Sequence, residues 1–276
     1  PNLMFAGRNI SATHIAFAST RVMATCATIG QGVGTAAAFA VREEIAPTDL
    51  PEERDLVRNI QQRLLRDDCY LVGHLNKDPD DLARAATVSA SSEQPEGSAL
   101  NILSGQTRSV HGTRIGQSFG SEIGHESADA PDSYIHAPEE RAYPGTHRWM
   151  SDPTVGLPAW IELAWREAVS VSEIQLIFDS EMHRLFTLTQ SAGNADRMNW
   201  GVIPPSLVKD YVVIVDGPDG EFEWARETDN YQRRRVHTLA EPRRIHRLQV
   251  KVTSTHGLDH ARIFEIRAYG AEESKD

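Results

Sequence analysis

Residues 158–165 read Pro158-Ala159-Trp160-Ile161-Glu162-Leu163-Ala164-Trp165, with a bulky apolar side chain at Ile161, Leu163 and Trp165. A strand sends successive side chains to opposite faces, so this period of two predicts one face turned to a core and one to water. The pattern returns at Ile174, Leu176 and Phe178, at Tyr211, Val213 and Val215, and at Leu248, Val250 and Val252. Turn-forming residues separate the runs, most plainly Asp216-Gly217-Pro218-Asp219-Gly220, and no helical segment lies between them. Such strands pair antiparallel and close into a sandwich, because a parallel sheet needs helical crossovers. This all-β part is expected over 86–270, with 271–276 as a tail. The region from Ser104 to Pro144 is rich in Gly, Ser and His and is expected to form long surface loops.

Upstream the period changes. An Ala- and Gly-rich segment from about Val22 to Glu44 predicts a helix that ends in Arg42-Glu43-Glu44 and is closed by Pro47. Pro51-Glu52-Glu53 opens a second helix whose Leu56, Val57, Ile60, Leu64 and Leu65 fall on one stripe. Residues 73–85 are polar, contain Pro79 and lack periodicity, as an interdomain linker requires. The domains are therefore expected at 1–72 and 86–270. Leu3-Met4-Phe5-Ala6 reads as a buried strand with no earlier strand to pair with, so the sequence is expected to be the C-terminal portion of a longer protein.

The 276 residues, 40% of them hydrophobic, suffice for two packed domains. A net charge of −11 disfavours phosphate backbones, so no nucleic-acid partner is expected. Cys26 and Cys69 are too few for a disulfide framework. Arg21, Thr25, Thr28 and Gln31 interrupt the richest apolar stretch, so no membrane span is expected. An exported or periplasmic location is favoured over a cytoplasmic one.

Three ordered motifs lie in the first part: Leu3-Met-Phe-Ala-Gly-Arg-Asn-Ile-Ser-Ala-Thr-His14, Ser19-Thr-Arg-Val-Met23, and Ile29-Gly-Gln-Gly-Val-Gly-Thr-Ala-Ala-Ala38. Together they resemble the end of the flavin-binding domain of FAD-dependent oxidoreductases, an α/β domain of which 1–72 would be an α+β fragment. The resemblance implies that Gly7, Arg8, Thr20, Arg21, Val22 and Met23 contact FAD, bound jointly with an N-terminal portion or a partner chain. A helix starting near Val22 presents unpaired N–H groups and a partial positive charge, which suits the flavin edge where negative charge collects on reduction. Alone, a Gly/Ala helix reads more readily as a tightly packed core helix; the two preceding motifs reverse that preference. Many flavoproteins place an acid where Arg8 stands; a guanidinium there suits phosphate. Gly30-Gln-Gly-Val-Gly34 lies within a helix and lacks the preceding strand of a dinucleotide fingerprint, so this chain alone is not expected to hold FAD or to be active.

His14 and Arg21 are similar to the His-and-Arg pair of the fumarate reductase group. That likeness implies catalytic roles: His14 as the base that takes a substrate hydroxyl proton, and Arg21 as the holder of an oxyanion or carboxylate. A hydrogen-bonded histidine and a salt-bridged arginine at a helix start are the alternative.

In the second part, Ala86-Thr-Val-Ser-Ala-Ser-Ser92, Trp149-Met-Ser151, Pro158-Ala-Trp-Ile-Glu-Leu163 and Ala261-Arg-Ile-Phe-Glu-Ile-Arg-Ala-Tyr269 resemble discoidin-like, galactose-binding-type sandwiches, the coagulation factor type C domains. These jelly-roll modules bind carbohydrate or serve architecture and carry no catalysis. Trp200 and Tyr231 lie in loop-like sequence where a sugar could stack; the alternative is that they cover the sandwich ends or the domain interface. Calcium in a sandwich loop is a further possibility. No metal site is assigned, since Gly257 makes His256-Gly-Leu-Asp-His260 a turn and not a helical zinc pair. Arg233-Arg-Arg235 reads as an exposed strand edge. The expected function is hydride transfer from an alcohol or sugar to FAD, with the sandwich binding substrate or docking the enzyme. The rivals are a non-enzymatic carbohydrate-binding module and a scaffold subunit of a flavoenzyme.

Overall fold

A computed structural model describes residues 2–71, 73–95, 97–108, 147–182 and 201–270. Most of the Ser104–Pro144 region, the 271–276 tail and Trp200 lie outside these residues. The chain forms two compact units, Pro1–Asp78 and Pro79–Asp276.

The first unit is helical. Helix α1 (His14–Thr20) was not anticipated from the sequence; Thr13 caps it by accepting the Ala16 N–H on Oγ1 at 3.3 Å. Helix α2 (Met23–Arg42) begins and ends within two residues of the expected bounds, and helix α3 (Arg54–Arg66) follows a short turn at Leu50–Glu52. The α3 stripe packs on α2: Leu50, Ile60 and Leu64 with Ala40 form a small core, and Ala36, Phe39, Leu56 and Val57 close around it. The rest of α2 is exposed or half-buried, Ala40 being its one buried residue. By length and composition α2 could cross a bilayer, a property shared by core helices and leader segments. Leu3–Ala6 does not form the expected strand. Leu3 and Phe5 are exposed, and among the described residues no neighbouring strand supplies partners for their backbone groups.

The second unit is an antiparallel sandwich built on one folded ribbon. Strands β1 (Thr87–Ala90), β2 (Trp149–Met150), β3 (Ala159–Phe178), β4 (Val208–Gly217), β5 (Gly220–Glu227), β6 (Arg234–Thr255) and β7 (Arg262–Tyr269) pair in the order β2-β7-β3-β6-β4-β5, with β1 also on β3. β3 and β6 pair from Ala159↔Val252 to Ile177↔Arg234, with register breaks between Ala164 and Val169 and between Val171 and Glu173. The breaks are where the ribbon turns over. Its Ala159–Ala164 half carries β1, β4 and β5, and its Glu173–Phe178 half carries β7 and β2. The two layers meet in a single core holding Ile161, Leu163, Val213 and Val250 from one side and Ile174, Leu176, Phe178 and Ile266 from the other. The Phe178 and Tyr211 rings touch across it with centroids 5.0 Å apart. The alternate apolar residues that announced strands in the sequence are thus the core-facing ones.

The boundary between units falls inside the stretch expected as linker, and the residues after it are fastened to the sandwich. Ala83 is fully buried in the core, the Trp165 indole donates to the Leu82 carbonyl at 2.8 Å, and Asp81 Oδ1 accepts from Ala83 N–H and Ala268 N–H.

Candidate functional site

In the helical unit the expected cofactor residues precede α2 in the chain or begin it. Val22 occupies the N-cap with extended backbone and no capping side-chain bond, and the first turn carries no acidic residue. The leading amides of α2 and their partial positive charge are therefore uncompensated by this helix's own side chains. Val22 is 51% and Met23 84% exposed. Thr20 and Arg21 close α1, where the Thr20 hydroxyl donates to Ala16 O and the Thr20 carbonyl accepts from the Cys26 thiol at 3.5 Å. Gly7 has φ +82° with open space where a Cβ would stand, and Arg8 is exposed beside it. His14 opens α1 and Arg21 caps its C-terminus. Seven residues are nearly two turns, so the two share one face of α1 about 10 Å apart along its axis. Both are exposed.

In the sandwich the segments flanking the two ends of β6 come together, and a six-residue loop, 228–233, joins β5 to β6 there. Tyr231 stands on this loop, 69% exposed. Around it the backbone is pinned. Asn230, only 2% exposed, donates its side-chain amide to Val208 O at 2.8 Å and Gln232 O at 3.0 Å, and accepts the Gln232 N–H at 3.1 Å. Its own N–H reaches Lys209 O at 2.9 Å, and its carbonyl receives His256 Nε2 at 2.7 Å. Because a carbonyl only accepts, Nε2 carries the proton there. Asp229, in the left-handed region at φ +57°, donates its N–H to Asp210 Oδ1 at 2.8 Å. The Ser254 hydroxyl, followed by that amide, holds the Asp210 carboxyl below its usual range.

Beneath this end lies a buried ionic layer that the sequence did not disclose. Arg148 and Arg262, both fully buried, approach Asp179 at 3.3 and 3.5 Å. Burial, with Arg148 close by, pulls the Arg262 guanidinium down to about 10. Arg233 is also enlisted: it donates to Phe178 O at 2.8 Å and lies 5.0 Å over the Phe264 ring, so this arginine of the expected exposed edge is half-buried. His256 and His260 sit in a turn, as Gly257 implied, and His260 engages Asp259 and Arg262 instead of pairing with His256. Among the described residues no three His, Cys, Asp or Glu side chains gather into a metal site.

The chain is thus a helical segment followed by an antiparallel β-sandwich. Residues 1–64 match the model of the FAD dependent oxidoreductase family. The sandwich is similar to the family 32 carbohydrate-binding module of Clostridium perfringens NanJ, solved with galactose (14% identity, TM-score 0.40, covering 68% of this chain and 95% of that one). It is likewise similar to the family 32 module of Streptococcus pneumoniae EndoD (14%, TM-score 0.43, 69% and 99%) and to the lectin domain of lectinolysin complexed with Lewis B antigen (11%, TM-score 0.40, 70% and 99%). No curated protein matches.

Proposed function

We propose that this chain is the C-terminal portion of an FAD-dependent oxidoreductase, in which the helical unit completes the flavin cradle and the sandwich holds a carbohydrate. The observation that carries the reading is the exposed, uncapped start of α2 inside the segment that matches the flavoprotein family. The donor set fits the group: amides of the first α2 turn for the flavin edge, Gly7 for close backbone approach, and Arg8 for a phosphate. Bound FAD would supply the hydride acceptor for an alcohol or sugar carbon. The residues of this chain do the rest. His14 takes the hydroxyl proton as hydride leaves, and Arg21 holds the developing oxyanion or a substrate carboxylate. The remainder of the cradle comes from an N-terminal portion or a partner chain.

Tyr231 supports the sugar-binding half of the reading, because a rigid exposed aromatic face is what the apolar side of a pyranose stacks on. Trp200 is proposed as its companion. Calcium is proposed only as a structural ion of the sandwich loops, and an exported or periplasmic location accords with glycan binding.

The test is reconstitution of the chain with FAD and its upstream polypeptide. A yellow complex reducible by an alcohol or sugar is expected, with flavin reduction slowed about 100-fold or more in Arg21→Ala. A mixture that stays colourless refutes the flavoprotein reading, and an unchanged reduction rate removes the role given to Arg21.

A further inference from the structure

We infer that His256 is the positioning residue of the glycan-binding loop, a latch that holds the Tyr231 platform by donating Nε2–H to the Asn230 carbonyl; the inference rests on the sugar-binding reading above. The backbone of loop 228–233 is bonded on both sides of Tyr231. Asp229 and Asn230 N–H are tied to Asp210 and Lys209 on one side, and Gln232 N–H and O are tied to the Asn230 side chain on the other. The Asn230 carbonyl, immediately before the Tyr231 amide, is bound by His256 alone among the described residues, at 2.7 Å. This bond crosses between sequence-distant segments, from the turn after β6 to the loop before it, and so decides which way the peptide ahead of Tyr231 faces.

The latch is anchored at its other end as well. His256 N–H donates to Leu207 O at 3.1 Å, and the turn that carries it is closed by Thr255 Oγ1, which accepts Leu258 N–H at 2.8 Å. The imidazole therefore has little freedom, and the bond it makes is preorganised. A platform already held in its bound conformation loses less entropy when a sugar stacks, so loosening it weakens binding without removing any atom that touches sugar. The Asp210 carboxylate, which feels the His256 imidazole, is itself engaged by Ser254 and Asp229.

The experiment uses the full chain with His256→Ala and His256→Gln, the glutamine amide nitrogen overlaying Nε2 as a donor. Amide hydrogen exchange is followed at Tyr231 and Gln232, and retention is measured on immobilised galactose, N-acetylgalactosamine, glucose and mannose. In His256→Ala, exchange at Tyr231 and Gln232 is expected to rise about tenfold and retention to weaken about 5- to 10-fold, with the thermal midpoint kept close to that of the natural sequence. His256→Gln is expected to restore both. Unchanged exchange in His256→Ala overturns the latch whether or not sugar binds, as does a glutamine variant that behaves like alanine. Faster exchange in a protein that retains none of the four sugars leaves the latch standing and refutes the sugar-binding reading instead.

Discussion

Asp81 shows what one buried carboxyl does to this molecule. Burial, outweighing the two N–H donors on its Oδ1, raises it from 3.8 to about 6. A carboxyl raised on folding binds its proton more tightly in the folded state. Its contribution is therefore present below pH ~4 and lost as pH climbs through 6, a difference of about 2–3 kcal/mol. Asp81→Asn keeps an acceptor at Oδ1 and removes the charge. The variant is expected to be more stable than the natural sequence at pH 8 and nearly equal at pH 4, as read from urea midpoints; a loss of stability at pH 8 would contradict the assignment. Little of this was legible beforehand, since Asp81 stood in a stretch that reads as linker and only the fold brings Ala268 to it. Tyr231 was visible as an aromatic in loop sequence, but its partners Asn230 and His256 were not. A hydrogen bond between residues 26 apart leaves no local periodicity behind.

Among the elements, the helices and core strands were readable because each carries its own period: α3 at i, i+3, i+4 and β3, β4 and β6 at every second residue. What did not show was that Ile161–Trp165 and Ile174–Phe178 belong to one strand. The bend between them is made by register breaks, and a bulge has no residue signature as firm as a turn's. Leu3–Ala6 failed in the opposite sense, having strand composition without a partner. Close approach at the bend is severe at Gly217, where a Cβ would lie 2.1 Å from the Arg244 carbonyl oxygen. Gly217→Ala is expected to cost about 3 kcal/mol or more by forcing β4 from β6. Gly220→Ala, which has open space but φ +93°, is expected to cost only about 1–2 kcal/mol. Thermal midpoints of the two variants in the reverse order would refute this account of the corner.

At the scale of the whole molecule, acidity and fold are coupled through histidine. Burial lowers His147, His237 and His260 from the ordinary value of 6.5. A histidine depressed on folding binds its proton better in the unfolded chain, so each one withdraws stability as pH falls below about 6.5. Asp81 works against them between pH 6 and 4. With three groups against one, the sandwich is expected to melt at lower temperature at pH 5.5 than at pH 7, and His237→Gln is expected to flatten that slope. Tryptophan emission isolates the measurement, because all five tryptophans lie beyond residue 78. A midpoint that rises on acidification would reverse the assignment. The sequence by itself determined the two-part plan, the antiparallel strands and the helices, because side-chain period and turn chemistry act within a few residues. The folding of the β3–β6 ribbon, the ionic layer of Arg148, Asp179 and Arg262, and the bracing of Tyr231 by Asn230 and His256 were decided only by tertiary structure. Each depends on groups that meet after the chain has doubled back, where burial and through-space hydrogen bonds, not local pattern, set the energy.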